Sequence, residues 1–314
     1  MSLRTSIAFF ILSMLFFNHQ IQAQVIAFDV SKADLIKDGT TYVIANDSKT
    51  PKAQQYLEAM GKDWKLTKGL QFLTPESQPN AFSANDTFLM FCREVSSFQT
   101  NRTTVTNIYY SFSLATLSEK FLKGKSKEKL EFEHMAYIPL RVGVKAFKVK
   151  DHLDTISFDG GGLLVNWSPG MAKNYLQQMT GLMAKKQQVS WRKENTNMQE
   201  LAKLANDTLY IADFNLMHIN IFSGKEYLET DDHILKAYGY NYKKVTKDEL
   251  DRLILNADKP LYYFLFIKDS TRKIISVINA QTGENIYCRI TMLGYNLKSS
   301  DLKELYKKVK KGQR

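Results

Sequence analysis

The feature that most constrains this chain is a pattern stated twice. Ala237-Tyr238-Gly239-Tyr240-Asn241-Tyr242-Lys243 follows one apolar helix pattern, and Ala59-Met60-Gly61-Lys62-Asp63-Trp64-Lys65 follows another. Both have the form Ala-x-Gly-x-[Asn/Asp]-aromatic-Lys, at the point where a helix would end and a strand begin. The flanking segments repeat as well. Thr208-Leu209-Tyr210-Ile211-Ala212-Asp213 is echoed by Thr41-Tyr42-Val43-Ile44-Ala45-Asn46, and the strand at Tyr262–Ile267 by Thr87–Phe91. A chain built this way is expected to fold as two related α/β units.

Each unit begins with elements that need crossover connections, so its first strands should be parallel within a mixed sheet. Each ends in antiparallel hairpins. The second unit shows this most clearly, with hairpin strands at Tyr262–Ile267 and Ile274–Asn279 and a third at Asn285–Met292. The order is also similar to a thioredoxin-like arrangement. In that alternative the redox cysteines are missing, because Thr230-Asp231-Asp232 stands at the helix start.

Helix limits are marked by side chains that satisfy the free N–H groups of a first turn. Thr50-Pro51 and Ser168-Pro169 open helices, Thr246 with Glu249 forms a capping box, and Ser300 is expected to cap the last helix. Met171, Tyr175, Met179 and Leu182 form an apolar stripe at helical spacing. That stripe fits a core, or a methionine-rich groove for a partner.

The expected boundaries are a leader over 1–23, a first unit over 24–184 that includes the helix at 168–184, a linker over 185–200 and a second unit over 201–314. The leader rests on Arg4, the apolar run Ile7–Phe17 and a cut after Ala23. The run is shorter than the roughly 20 apolar residues a membrane-spanning helix needs. The product is therefore expected to be periplasmic or secreted, and not an integral membrane protein.

The net charge is +11, of which only Arg4 leaves with the leader. That balance favours an anionic envelope component or another envelope protein as partner. No RNA-binding signature is present, and no nucleic acid is expected. Lys120, Lys123 and Lys125 are the candidate anion-binding residues. They lie in a lysine-rich stretch that Glu119, Glu128, Glu131 and Glu133 balance, so a plain solvated face explains it too.

Chemistry is harder to find. Cys92 and Cys288 lie in apolar runs, where two separate thiols behave as small hydrophobes, and a single disulfide in an exported chain is the alternative. Asp159-Gly160-Gly161-Gly162 matches neither common phosphate-loop spacing. None of the histidines forms a metal-binding pair, and neither a metal nor a cofactor is expected. His218 and His233 could approach Asp232, which makes those three the candidate catalytic group for a hydrolase or transferase near the 214–233 insertion. The leading expectation is a non-catalytic envelope or secreted binding protein. Anionic glycan or lipid binding through surface lysines is a further alternative.

The Gln-rich junction at Gln20–Gln24, the aromatic-Lys pairs Trp64-Lys65 and Tyr242-Lys243, and the Thr282-Gly283-Glu284 turn add one more indication. In these features the chain resembles uncharacterised exported α/β proteins of Bacteroidota. The resemblance transfers no functional residue.

Overall fold

A computed structural model describes residues 25–45, 47–73, 82–99, 104–124, 130–143, 158, 163–189, 195–220, 223–229, 233–292 and 294–314. The expected leader and the Gly160–Gly162 run lie outside these residues.

The first unit contains β1 (Ile26–Ala27), β2 (Thr40–Ile44), α1 (Pro51–Gly61), β3 (Gly69–Leu73), β4 (Thr87–Gln99), β5 (Thr104–Leu117), α2 (Glu119–Leu122), β6 (Phe132–Leu140) and α3 (Pro169–Ala184). The second contains β7 (Asn195–Thr196), α4 (Met198–Ala202), β8 (Leu209–Ala212), β9 (Met217–Asn220), β10 (Lys225–Leu228), α5 (His233–Lys236), β11 (Tyr242–Val245), α6 (Lys247–Leu255), β12 (Tyr262–Lys268), β13 (Arg272–Asn279), β14 (Asn285–Met292) and α7 (Ser299–Gly312). Within the expected linker, 195–196 is β7 and 198–202 forms α4, so this stretch contributes to the second unit's sheet and helices.

The two sheets have one topology. The first runs β3-β2-β4-β5-β6-β1 and the second β11-β8-β12-β13-β14-β7. β2 is parallel to β3 and β4, as β8 is to β11 and β12, and every later pairing is antiparallel. The fold is thus α/β, with two related units and mixed sheets that end in antiparallel hairpins. Three strands share one direction before the hairpins begin, and this topology adds no support for the thioredoxin-like alternative. The second unit also carries β9 and β10, a separate hairpin with no counterpart among the described residues of the first.

The apolar runs show how the layers stack. β12 is buried along Tyr262–Ile267. Alternate residues of a strand face opposite sides of its sheet. Tyr263, Leu265 and Ile267 enter a core shared with the first unit, through β5, β6, α1, α3 and α6. Tyr262, Phe264 and Phe266 enter a second core under α4, α5 and α7. Burial on both faces is why this strand reads as a continuous apolar run rather than an alternating one.

α3 lies between the units and packs against α1 on one side and α6 on the other. Its methionine stripe is core: Met171, Tyr175, Met179 and Leu182 are all buried. Ser168 caps it, accepting from the Met171 N–H. The other expected caps at Thr50 and Thr246 also form. Ser300 does not cap the last helix. The cap position falls two residues earlier, at Lys298, and Asp301 takes the role by accepting from the Lys298 N–H at 2.9 Å. Cys92 and Cys288 are separate thiols.

The repeated glycine differs between the units. Gly239 has φ +72° and lies against the Tyr306 ring, so a Cβ there would meet that ring at 2.9 Å. Gly61 is the last residue of α1 in ordinary helical backbone, with nothing near its missing Cβ. The first-unit strand starts only at Gly69, because Trp64 turns inward and donates from Nε1 to the Thr67 hydroxyl at 2.9 Å.

The same substitution should therefore have opposite signs at the two sites. Gly61→Ala should stabilise by up to about 1 kcal/mol through lower chain entropy. Gly239→Ala should destabilise by about 1–3 kcal/mol through left-handed backbone and the ring contact. Urea denaturation of the two variants measures both. Equal effects would show that the shared pattern imposes a shared conformation.

Candidate binding cleft between the units

Two clasps join the units on either side of a cleft. The first is the β12–β13 turn. Asp269 folds it by accepting from the Thr271 and Arg272 N–H groups and from the Arg272 guanidinium. The fixed turn presents Ser270 to β5. The Ile108 N–H donates to Ser270 Oγ at 2.8 Å, and Ser270 Oγ donates to the Ile108 carbonyl at 2.8 Å. One side chain thus occupies both backbone groups of a first-unit strand. Thr271 contacts the Tyr109 hydroxyl at 3.2 Å, and Arg272 stacks over the Tyr109 ring.

The second clasp is Arg141, just past β6. Its side chain is almost fully enclosed and lies over the Phe266 ring. Nη1 donates to the Phe214 carbonyl at 3.1 Å and Nη2 to the Met217 carbonyl at 2.8 Å. Both carbonyls belong to the second-unit insertion. Burial lowers the Arg141 pKa to about 10, which leaves it a cation at neutral pH.

Between the clasps is a cleft of about 350 Å³. Ile108, Tyr110, Leu140 and Ile219 give it an apolar lining, and Arg141 and Lys268 bring positive charge. Lys268 ends β12, and its ammonium lies 5.1 Å from the centre of the Tyr295 ring. Among the described residues it has no hydrogen-bond or ion-pair partner. Burial, then repulsion from Arg141, pulls its pKa down to about 8 against the opposing pull of Glu226. A half-buried cation beside a ring, in an apolar cleft, can hold an acidic group or release a proton near neutral pH.

A larger groove of about 660 Å³ runs beside α6, and two of its polar groups are matched within the protein. Glu249 pairs with Lys243 at 3.1 Å, and the Tyr262 hydroxyl donates to Glu200 at 3.0 Å. Lys268 is half-buried without such a match among the described residues, whereas the cations of the larger groove, Arg252 and Lys259, are exposed.

The residues expected from sequence lie elsewhere. His218 is on β9, buried with Nδ1 3.7 Å from Glu229 and its ring against Tyr227. Burial lowers its pKa, with Glu229 opposing, and His233 is near enough to add repulsion. His233 thus acts on His218 through its charge, whereas Asp232 lies outside the described residues. Lys120 and Lys123 are exposed on and after α2, Lys123 bonding Glu119 at 2.7 Å, and Lys125 is outside the described residues. No group of three or more His, Cys, Asp or Glu among the described residues could hold a metal ion. No helix among them is long and apolar enough to cross a membrane.

Lys268, Arg141 and Ser270 were not among the residues expected from sequence. The only local signal is a lysine that closes an otherwise unbroken apolar strand, followed by the Asp269-Ser270-Thr271 turn. Comparison of the chain with family models, curated proteins and solved structures gives no match.

Competitive amine labelling across a pH series should give Lys268 an apparent pKa near 8, with exposed lysines near their ordinary value. Titration of Lys268 with the bulk would refute the burial account. The linkage has a definite sign. The folded value lies below the unfolded 10.5, so the penalty is complete below about pH 8 and relieved between 8 and 10.5. Lys268→Met should stabilise the protein at pH 7, and this advantage should shrink as pH rises through that window.

Proposed function

We propose that this is an exported, non-catalytic binding protein of the cell envelope or extracellular space, which holds a ligand bearing an acidic group in the cleft between its units. The observation that carries this reading is the Lys268 ammonium, set in an apolar cleft with no ion-pair partner among the described residues. Placing a cation in such surroundings costs free energy unless an anion arrives. Arg141 adds charge behind it, and its hydrogen bonds to two carbonyls fix its position before any ligand binds.

The cleft volume lies within the range usual for small-molecule sites. Its apolar walls favour a ligand with a hydrophobic body behind the acidic head. Export rests on the leader pattern of residues 1–23. The hydrolase or transferase alternative relied on His218 and His233, and neither lines this cleft. His218 is instead packed between Glu229 and Tyr227.

The test uses hexanoate, benzoate and inorganic phosphate as probes, with thermal unfolding and titration calorimetry as readouts. At least one carboxylate with an apolar body should raise the Tm of the wild-type protein more than phosphate does. Lys268→Met should lose that response while retaining a cooperative transition. A probe response that survives Lys268→Met, or no response from the wild type to any probe, would refute the assignment.

A further inference from the structure

A second feature is independent of Lys268. The segment Gly294–Lys298 separates the cleft from another concavity of about 490 Å³, which lies between the end of β14 and the first turns of α7. Tyr295 faces the cleft, whereas Gly294 and Lys298 line the second groove.

A buried ion pair sits in this groove. Lys273 donates to both carboxylate oxygens of Asp301, at 2.8 and 2.7 Å, and both side chains are nearly enclosed. Gly294 passes so close over the Lys273 stem that a Cβ would meet it at 3.0 Å. Asp301 also accepts the Lys298 N–H and lies 4.0 Å from the Arg289 guanidinium. Its charge is thus committed. The other acid, Glu304, is 3.8 Å from Lys307. Exposed Lys298 and Lys303 and half-exposed Arg289 leave the groove with a surplus of positive charge. Thr291 adds a hydroxyl that is itself buried in this lining, with no hydrogen-bond partner among the described residues.

The charge continues beyond the groove. Lys303, Lys307, Lys310, Lys311 and Arg314 are exposed along α7 and its end, at spacings that keep them on one side of the helix. Leu302, Leu305 and Val309 are buried on the other side, which fixes the direction the basic side faces. At 1.5 Å per residue, the span from Lys303 to Arg314 is about 16 Å.

We infer that this groove and the basic side of α7 form a track for a linear acidic polysaccharide, with Lys298, Lys303 and Arg289 at the groove end. A concave start followed by a straight row of cations fits a chain of repeated carboxylates. A lipid surface fits less well, because the apolar side of α7 is committed to the core and has nothing to insert. Tyr306 is held between Tyr240 and Lys310, so it is not a free platform for stacking bases.

The test uses soluble polygalacturonate and the full mature chain, with binding followed by interferometry at low and high salt. Lys298→Glu/Lys303→Glu should weaken binding by about tenfold or more, and wild-type affinity should fall with added salt. Lys120→Glu/Lys123→Glu on helix α2 should change it by less than about twofold, since Lys123 is already paired with Glu119 and this helix is outside the proposed track. Lys268→Met should leave polymer binding unchanged, which separates failure of this assignment from failure of the cleft. No wild-type binding, an equal loss in both double variants, or tighter binding to phosphatidylglycerol vesicles than to the polymer would overturn it. The substituted side chains are exposed, and an unchanged Tm confirms that the variants remain folded.

Discussion

The structure depends most on how α3 is held. A helix buried between two units must satisfy its polar groups internally or lose stability. Here those groups become the joints. At its N-terminus the Gly170 N–H donates to Asp251 of α6 at 2.7 Å, and a Cβ on Gly170 would collide with Asp251 and Ile254. One turn later the Asn174 amide donates to the Ala280 carbonyl while its oxygen accepts from the Tyr263 hydroxyl. Gln177 then reaches in both directions, to Asp63 of the first unit and to the Gln281 carbonyl of the second. The apolar stripe gives this helix its place, and the polar residues beside it set its register. Gly283 belongs to the same joint. Its φ of +72° turns the chain where a Cβ would meet Gln177 at 2.7 Å, so the Thr-Gly-Glu turn is also a packing site for α3.

Equal topology leads to unequal use. In the second unit, helices cover the outer face of the sheet, and β12 and β13 are buried on both sides. In the first unit the outer face has a smaller cluster around Tyr42, Phe88 and Leu117, and β4 and β5 run on as an exposed ribbon past residue 94. The second unit also owns the hairpin of β9 and β10, which receives Arg141. The duplicated parts supply rigidity, and the parts that break the duplication, Arg141 and its receiving insertion, shape the cleft.

Much of this architecture was legible in the chain. The strands of the second unit, the capped starts at Thr50, Ser168 and Thr246, and the repeated order all follow from local chemistry and periodicity. The differences arose where a distant contact overrode a local signal. Gly61 ends the helix as its pattern suggests, but the strand does not follow at once, because Trp64 finds partners in Thr67 and Thr41 and delays it to Gly69. Ser300 looks like a cap, but Asp301 is drawn to Lys273 and takes the first turn with it. The cleft was not legible at all. Arg141 is far in sequence from Lys268 and Ser270, and no shared spacing links it to them. Only the packing of one unit on the other gives them a common purpose. The histidines attracted attention because histidine is a versatile residue, yet burial and Glu229 already account for His218.

The Ser270 clasp has a kinetic meaning. By occupying both the N–H and the carbonyl of Ile108, it does between the units what a ladder of strand bonds does within a sheet. Separating the units at that edge would expose two backbone groups and the serine together. The cleft is therefore braced at this wall by backbone-type bonds between the two units. A ligand of the kind proposed would meet a formed surface and lose little affinity to rearrangement of this wall. Its residence time would then depend on how well its shape fills the space. Selectivity in such a site comes from rejecting what does not fit.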